Sequence, residues 1–221
     1  MRKVLIFSLL ILFLAHISTV SAQTTPTKNP VQIKAQKVSY DWGKKMSKAE
    51  GNVVVIYKPG KEDETRITAT TVYYNQDASL VEAPGKVSIS QRDLSISGED
   101  LKADLKNENV ELKKNVSIVI QRKVEGGKLE VTKITSQSLK YSLRTNTGNL
   151  FGGVSIDRED LKGKSDSAVV DTNKEIYTLI DNVSILDSEK NEIRCSKISV
   201  YVKEKRMEAE GDVESIFYVT E

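Results

Sequence analysis

The sequence has very few of the residues that carry most enzyme chemistry. Its only histidine, His16, lies in the apolar N-terminal segment, and its only cysteine is Cys195. Serine or cysteine nucleophiles activated by histidine are therefore excluded from the rest of the chain, as are zinc sites built from histidine or clustered cysteine. A single cysteine also forms no internal disulfide. The folded part of this 221-residue chain must therefore be stabilised by packing alone.

A strong net charge is also missing. The chain has 33 basic and 31 acidic residues, and without residues 1–22, which include Arg2 and Lys3, it has 31 of each. Nucleic-acid binding depends on neutralising phosphates with a basic surface. A balanced chain with no basic tract gives no such surface, so we expect no nucleic-acid partner.

The N-terminus has the pattern of an export signal. Two basic residues precede an apolar run from residue 4 to about residue 15, and the small residues Val20-Ser21-Ala22 form a cleavage site. We predict that residues 1–22 are a signal peptide. The alternative is an uncleaved membrane anchor, since the apolar stretch is about long enough to span a bilayer. Residues 23–30, with two prolines, are predicted to be a linker, and residues 31–221 the folded domain.

Two short motifs recur six times along the chain. The first surrounds a valine in EGNVVV, PGKVSI, KKNVSI, FGGVSI, IDNVSI and EGDVES, at Val53, Val87, Val116, Val154, Val183 and Val213. These valines are 34, 29, 38, 29 and 30 residues apart. The second motif comprises IKAQKVSY, ITATTVYY, ISGEDLKA, ITSQSLKY, GKSDSAVV and IRCSKISV, and its copies have the same spacings. Two motifs that keep the same offsets through six copies establish an internal repeat.

Each repeat has the pattern of a β-hairpin. Around the valine, apolar residues recur at two-residue steps, which is typical of a strand with one buried face. The other strand alternates too, except for a three-residue step between Ala69 and Val72, and we assign a β-bulge to that strand. Short segments rich in asparagine, aspartate and glycine join the two strands, as hairpin turns require. Six hairpins predict an all-β meander of about twelve antiparallel strands.

The strings ITATTVYYNQDASLVEAPGKVSI, VQIKAQKVSYDWGKKMSKAEGNVVV and IRCSKISVYVKEKRMEAEGDVESIF resemble the OstA-like, or LptA/LptC, family of lipopolysaccharide-transport proteins of Gram-negative envelopes. The likeness covers about residues 31–219. It implies a β-jelly-roll, or β-taco, in the periplasm, whose apolar groove shields the lipid A acyl chains of lipopolysaccharide while the sugars stay in water. It also implies stacking through terminal edge strands with homologous β-jelly-roll domains of other bridge proteins, or with copies of itself. A cleaved signal favours the soluble LptA-like type and an uncleaved one the anchored LptC-like type.

The inward positions of the repeat are the candidates for a lipid groove. They are Ile67, Ala69, Val72, Tyr74, Val81, Ala83, Val87, Ile89, Ile96, Leu101, Val110, Leu112, Val116, Ile118, Ile134 and Leu139. Each acyl methylene moved out of water contributes about 0.8 kcal/mol, so such a groove needs apolar walls but no catalytic residue, cofactor or metal. A packed core predicts the same residue types. The alternative function is therefore a secreted structural or adhesive β-repeat protein with a packed interior, and an enzyme is a distant third.

Two sites match the acceptor pattern for N-glycosylation, at Asn115 and Asn182. Both belong to copies of the valine motif, and the other copies have asparagine, lysine, glycine or aspartate at the same position. The repeat as a whole therefore requires no glycosylation acceptor. We interpret these asparagines as part of the hairpin unit.

Four further features receive a structural interpretation. Cys195 occupies the small position of its motif and is expected to be a packing residue, and a packing role is also favoured for Trp42, the only tryptophan. The acidic run at residues 61–64 lacks the EF-hand spacing and is expected to be a solvated loop. Tyr73 should face outward, beside the inward Tyr74. The strand from Val213 has little charge and no proline, so we expect an edge that accepts another chain.

Overall fold

A computed structural model describes residues 29–123 and 125–218. The predicted signal peptide and most of the predicted linker lie outside these residues. Within them the chain forms antiparallel strands and one short 3-10 turn at Glu125–Gly127. No helix in the described ranges is long and apolar enough to cross a membrane.

The fifteen strands of the described residues are β1 (Val31–Lys34), β2 (Lys37–Asp41), β3 (Met46–Tyr57), β4 (Thr65–Asn75), β5 (Leu80–Gln91), β6 (Leu94–Asp104), β7 (Asn109–Lys123), β8 (Leu129–Ser136), β9 (Ser138–Ser142), β10 (Thr147–Asp157), β11 (Leu161–Asp171), β12 (Ile176–Asp187), β13 (Glu192–Tyr201), β14 (Arg206–Glu210) and β15 (Glu214–Ile216).

These strands form one sheet in which chain neighbours pair with each other. The pairing runs in sequence order through β3, β4, β5, β6 and β7 and again through β10, β11, β12 and β13. Three of the predicted strands are each interrupted once, so that β1 and β2 both pair with β3, β8 and β9 both pair with β10, and β14 and β15 both pair with β13. Twelve predicted strands therefore become fifteen, and the all-β, hairpin-repeat prediction is confirmed.

Each repeat contains the predicted bulge, but its extra residue lies on the other strand. Ala69 and Val72 do both face the core, as the three-residue step requires. However, Ala69 pairs with Val87 and Tyr73 pairs with Glu82. The four residue steps from Ala69 to Tyr73 on β4 therefore lie opposite the five steps from Glu82 to Val87 on β5. Assigning the extra residue to the strand that contains Ala69 was therefore wrong, because the valine-motif strand is longer than its neighbour.

The residue before the valine of the motif explains why the bulge forms there. It has a positive φ in five of the six copies, at Asn52 (46°), Asn115 (52°), Gly153 (76°), Asn182 (51°) and Asp212 (48°). Asparagine, aspartate and glycine tolerate this left-handed conformation better than other residues. In the sixth copy Gly85 has the positive φ, at 75°. The two sequon asparagines are therefore bulge residues selected by backbone geometry.

The bulges line up across the strands and form a crease along which the sheet folds back on itself. We define the crease as residues 51–52, 84–86, 113–115, 152–153, 181–182 and 211–212. Layer 1 contains the strand halves joined by short turns, at residues 37–50, 71–83, 99–112, 138–151, 167–180 and 197–210. Layer 2 contains the other halves, at residues 31–34, 53–69, 87–97, 116–136, 154–165, 183–195 and 214–216.

Contacts between residues that are not paired in the sheet show that the layers face each other. A Cβ built on Gly163 in layer 2 would lie 3.0 Å from Cδ1 of Leu179 in layer 1, although Gly163 pairs with Ile185 in the sheet. At the side opposite the crease, the Tyr57 hydroxyl of layer 2 donates to the carbonyl oxygen of Leu105 in layer 1, at 3.1 Å. We call this side the mouth. The result is the folded sheet of a β-jelly-roll, or β-taco.

Candidate functional site

The predicted groove residues lie between the two layers. All are buried except Ala69 and Tyr74, which are partly buried and pack against the same core. Ile67, Leu112 and Ile118 each have 0% of their surface exposed. Tyr73 is 38% exposed and points outward, as predicted. These side chains fill the interior of the central repeats and form the hydrophobic core between the two layers.

Apolar side chains that continue this interior are exposed at both ends of the sheet. At the N-terminal end, Val38 of β2 is 50% exposed although it pairs with the buried Ala49. At the C-terminal end, Val213 is 50% and Phe217 is 66% exposed. Beyond β2 and β15 the sheet has no further strand among the described residues. Both ends therefore present edge strands with apolar surface.

Ion pairs between the layers close the mouth, and we call each group of such pairs a clasp. The first clasp is centred on Glu108 of layer 1. Lys58 of layer 2 places its Nζ 2.6 Å from Oε1 of Glu108. The Tyr57 hydroxyl lies 3.1 Å from the same oxygen, so its single proton is shared between Glu108 and the Leu105 carbonyl oxygen. Arg144 of layer 1 has its Nε 3.2 Å from Oε2. Lys58 also pairs with Asp63. The Glu108 side chain is only 11% exposed, so the first clasp is largely shielded from water.

The second clasp is centred on Glu175 of layer 1 and repeats this arrangement. Arg122 of layer 2 places Nη1 2.5 Å from Oε2 of Glu175, and Lys203 of layer 1 has its Nζ 3.5 Å from Oε1. Arg122 also pairs with Glu130, at 3.1 Å. The Glu175 side chain is 12% exposed. Each clasp thus has a carboxylate that is largely shielded from water and is held by one cation from each layer.

The two carboxylates occupy equivalent places in the repeat. Glu108 and Glu175 each stand eight residues before the valine of the motif, Val116 or Val183. Both have a positive φ, 57° and 56°, at the hairpin turn of layer 1. Neither glutamate was predicted as a functional residue, because the segments that contain them were identified only as hairpin turns. Their matching offset from the valine is the signal that singles them out.

The charges of the first clasp shift each other's pKa. Burial alone would raise the pKa of Glu108, but hydrogen bonds from Lys58 and Arg144 outweigh it and hold the pKa below its usual value. Burial alone would lower the pKa of Lys58, but Asp63 and Glu108 outweigh it and raise the pKa. Both groups are therefore charged at neutral pH, and the pair is an ion pair.

A cleft of about 730 Å³ runs along the mouth between the two clasps. Its lining includes Glu108 and Glu175, together with four cationic side chains from both layers. Three apolar residues also line it, Leu94, Ile120 and Leu143, and all are buried members of the core. The cleft therefore has a charged rim and an apolar floor that is continuous with the interior. The cationic residues are Lys58, Arg92, Arg144 and Lys203.

Two of the remaining sequence predictions have different outcomes. Cys195 is 8% exposed and belongs to the core, as predicted, and its Sγ lies 3.2 Å from the Lys197 carbonyl oxygen. Ser165 makes the equivalent bond to Ser167. Trp42 is 81% exposed and stands edge-on to Tyr40 in the turn after β2, so its predicted packing role is wrong. A residue in the tip of an edge hairpin has no second layer to pack against.

The acidic run at residues 61–64 makes local contacts. Glu64 accepts a hydrogen bond from the Gly60 backbone at 2.7 Å and pairs with Arg66, and Glu62 pairs with Arg92. No group of three potential metal-ligating side chains occurs within residues 29–123 and 125–218.

Comparison with known proteins gives a family match and matches to solved structures, among them one crystal structure. Residues 11–121, half of the chain, match the family described as lipopolysaccharide-assembly, LptC-related. The crystal structure is that of LptH from Pseudomonas aeruginosa, described as the LptA-homologous periplasmic component of the lipopolysaccharide transport device. It is 17% identical, the match covers 69% of this chain and 82% of that one, and the TM-score is 0.31. No curated protein sequence matches.

The family match spans β1 to β7, which includes three of the repeats, half of the crease and both partners of the first clasp, Lys58 and Glu108. The resemblance stated from the repeat motifs is thereby confirmed. The chain belongs to the LptC-related family of lipopolysaccharide-assembly proteins.

Proposed function

We propose that the protein binds lipopolysaccharide in the periplasm, takes up its lipid A acyl chains between the two layers, and passes it along a bridge between the inner and outer membranes. The observation that carries this proposal is the apolar interior of a single folded sheet, which reaches apolar surface at both ends of the domain. The family assignment gives the class of ligand.

The mode of entry follows from how the two sides of the fold are held. At the crease the layers are joined by continuous backbone, whereas at the mouth side-chain clasps join them. Opening therefore requires the clasps to separate while the crease acts as a hinge. Acyl chains then replace the contacts between side chains such as Val87 and Ile118, and each methylene contributes about 0.8 kcal/mol. The sugars of the ligand remain at the mouth.

The exposed edges support a role in a chain of similar domains. Unpaired edge strands with apolar surface are templates for β-augmentation, and here β2 and β15 stand at opposite ends of the sheet order. A homologous β-jelly-roll, or a second copy of this chain, would extend both the sheet and the apolar interior.

One observation favours a different function. The interior of the central repeats is filled by the chain's own side chains, and Ile134 and Leu139 each have 0% exposure. A secreted structural or adhesive β-repeat protein needs a packed interior of this kind and binds through its outer surface. The two functions differ in whether the layers ever separate.

Site-specific photo-crosslinking in cells distinguishes them. A photo-reactive residue at Val87 or Ile118 should capture lipopolysaccharide, whereas one at the exposed positions Thr68 or Lys102 should not. The control positions lie on neighbouring strands and share the expression level and folding of the chain. Absence of capture at both interior positions, in folded protein, would favour the structural function.

A further inference from the structure

We propose that the cleft between the clasps is a binding site for the phosphate groups of a phosphorylated glycolipid headgroup. In this site Lys58, which lines the cleft, exchanges its carboxylate partner Glu108 for phosphate. Arg122 lines the neighbouring cleft and pairs with Glu175 of this one, and it likewise exchanges Glu175 for phosphate. This inference rests on the proposed function, because it places the headgroup where acyl chains between the layers would emerge.

The cleft has the polarity of an amphiphile site. Its floor is formed by Leu94, Ile120 and Leu143, which are 6–7% exposed and belong to the core. A ligand with acyl chains among these residues has its headgroup at the level of the clasps. Phosphates there meet cations from both layers, and charge-assisted hydrogen bonds of this kind are stronger than neutral ones.

In the closed cleft these cations are already paired with carboxylates. The carboxylates therefore also control whether a headgroup can bind. The cleft is lined by five acidic side chains, Glu62, Asp63, Asp93, Glu108 and Glu175, against four basic ones, so the closed cleft carries no excess positive charge. A phosphate monoester carries a charge of about −1.5 to −2 at neutral pH, so it attracts these cations more strongly than a single carboxylate does. Glu108 and Glu175 thus hold the mouth closed until a sufficiently charged headgroup replaces them.

The cations differ in how readily they can move. Arg144 and Lys203 have 66% and 53% of their side-chain surface exposed, whereas Lys58 and Arg122 have 15% and 28%. The exposed pair can reach an approaching headgroup first without breaking a contact between layers. Lys58 and Arg122, the less exposed pair, can then follow as the layers separate. The fold therefore supplies an outer and an inner pair of phosphate ligands.

The test compares affinities for lipid A carrying two phosphates and for its monophosphoryl form, using the folded soluble chain. We expect the wild type to bind the two-phosphate form about tenfold more tightly, a difference of the size of one charge contact. Lys58→Gln/Arg122→Gln should bind both forms equally, and Glu108→Gln/Glu175→Gln should bind the two-phosphate form several-fold more tightly than the wild type does.

Two further variants keep the test interpretable. Arg144→Gln/Lys203→Gln leaves the ion pairs between the layers intact and should lose part of the preference for the two-phosphate form. This variant tests the proposal even if the loss of Lys58 prevents folding. Lys114→Gln/Lys197→Gln removes two exposed cations beside the crease and should keep the wild-type preference. Equal binding of both forms by wild type and all variants would overturn the headgroup site while leaving lipid uptake intact. No binding of either form would instead count against the proposed function itself.

Discussion

The crease and the mouth hold the same two layers together by different means. At the crease every valine-motif strand crosses from one layer to the other through covalent backbone, with left-handed residues such as Gly152 and Asn115 at the bend. At the mouth the layers meet through Glu108, Glu175 and their cations. The first connection cannot be broken without unfolding, whereas the second can be exchanged for another charged group. The crease therefore acts as a hinge, and the two clasps together form a latch that holds the mouth closed.

This comparison predicts that damage to the crease costs more stability than damage to the latch. Gly152→Val is the strongest test, because Gly152 has a φ of 82° and a Cβ there would lie 2.6 Å from the Cβ of Gln137. Backbone strain and overpacking together should cost about 3 kcal/mol, measured as the change in free energy of unfolding in urea.

The adjacent glycine is the matched control for that variant. Gly153 has a φ of 76°, but nothing lies within 4 Å of its built Cβ. Gly153→Ala should therefore cost only the left-handed strain, about 1 kcal/mol. Equal costs for the two variants would show that the crease is not closely packed at this point.

The latch is tested by Glu108→Gln. This change leaves Lys58 and Arg144 without their shared carboxylate in a shielded site, and we expect a loss of about 2 kcal/mol in the free energy of unfolding. Glu62→Gln removes an 87% exposed carboxylate from the same region and should change stability by less than about 0.5 kcal/mol. A latch variant as stable as this control would mean that the clasp does not hold the mouth.

The contribution of Glu108 should depend on pH in a defined direction. Its pKa is lower in the folded chain than in the unfolded one, so its stabilisation is complete above the unfolded value, about 4.3, and is lost as the pH falls through the folded value. The stability difference between wild type and Glu108→Gln should therefore shrink steadily below about pH 5. Urea unfolding at a series of pH values measures this, and a constant difference would contradict an ionised Glu108.

The smallest effect is expected at the sequon. Asn115 has a φ of 52°, which glycine adopts without strain, so Asn115→Gly should change the free energy of unfolding by less than about 0.5 kcal/mol, whereas Asn115→Val should cost about 1 to 2 kcal/mol. Thermal or urea unfolding of the pair compares them directly. A costly glycine variant would mean that the asparagine side chain, and not its backbone, is what the repeat requires.

The repeat was predictable because period-two patterns and turn residues are local signals. The spacing of the valines gave the hairpins, and the inward set from Ile67 to Leu139 is buried or partly buried almost as expected. The side of the bulge was not predictable, because it depends on how many residues the neighbouring strand contributes to the pairing. The clasps were missed because Lys58 and Glu108 meet only after the sheet has folded across its crease. Trp42 was misplaced since its exposure depends on its position in the first, terminal hairpin.

Uptake of lipid between the layers requires that the mouth opens while the crease stays closed. This requirement is tested in a Cys195→Ser background by introducing Lys58→Cys and Glu108→Cys and joining the two new thiols with a short bismaleimide. Ser165 makes the equivalent hydrogen bond in its own repeat, so a serine in place of Cys195 should leave the fold unchanged. A control chain carries the same crosslink within layer 2, at Thr68→Cys and Ser88→Cys, which pair directly in the sheet. We predict that lipopolysaccharide capture at Ile118 is lost when the mouth is crosslinked and kept when only layer 2 is. Undiminished capture by the chain with a crosslinked mouth would contradict the account.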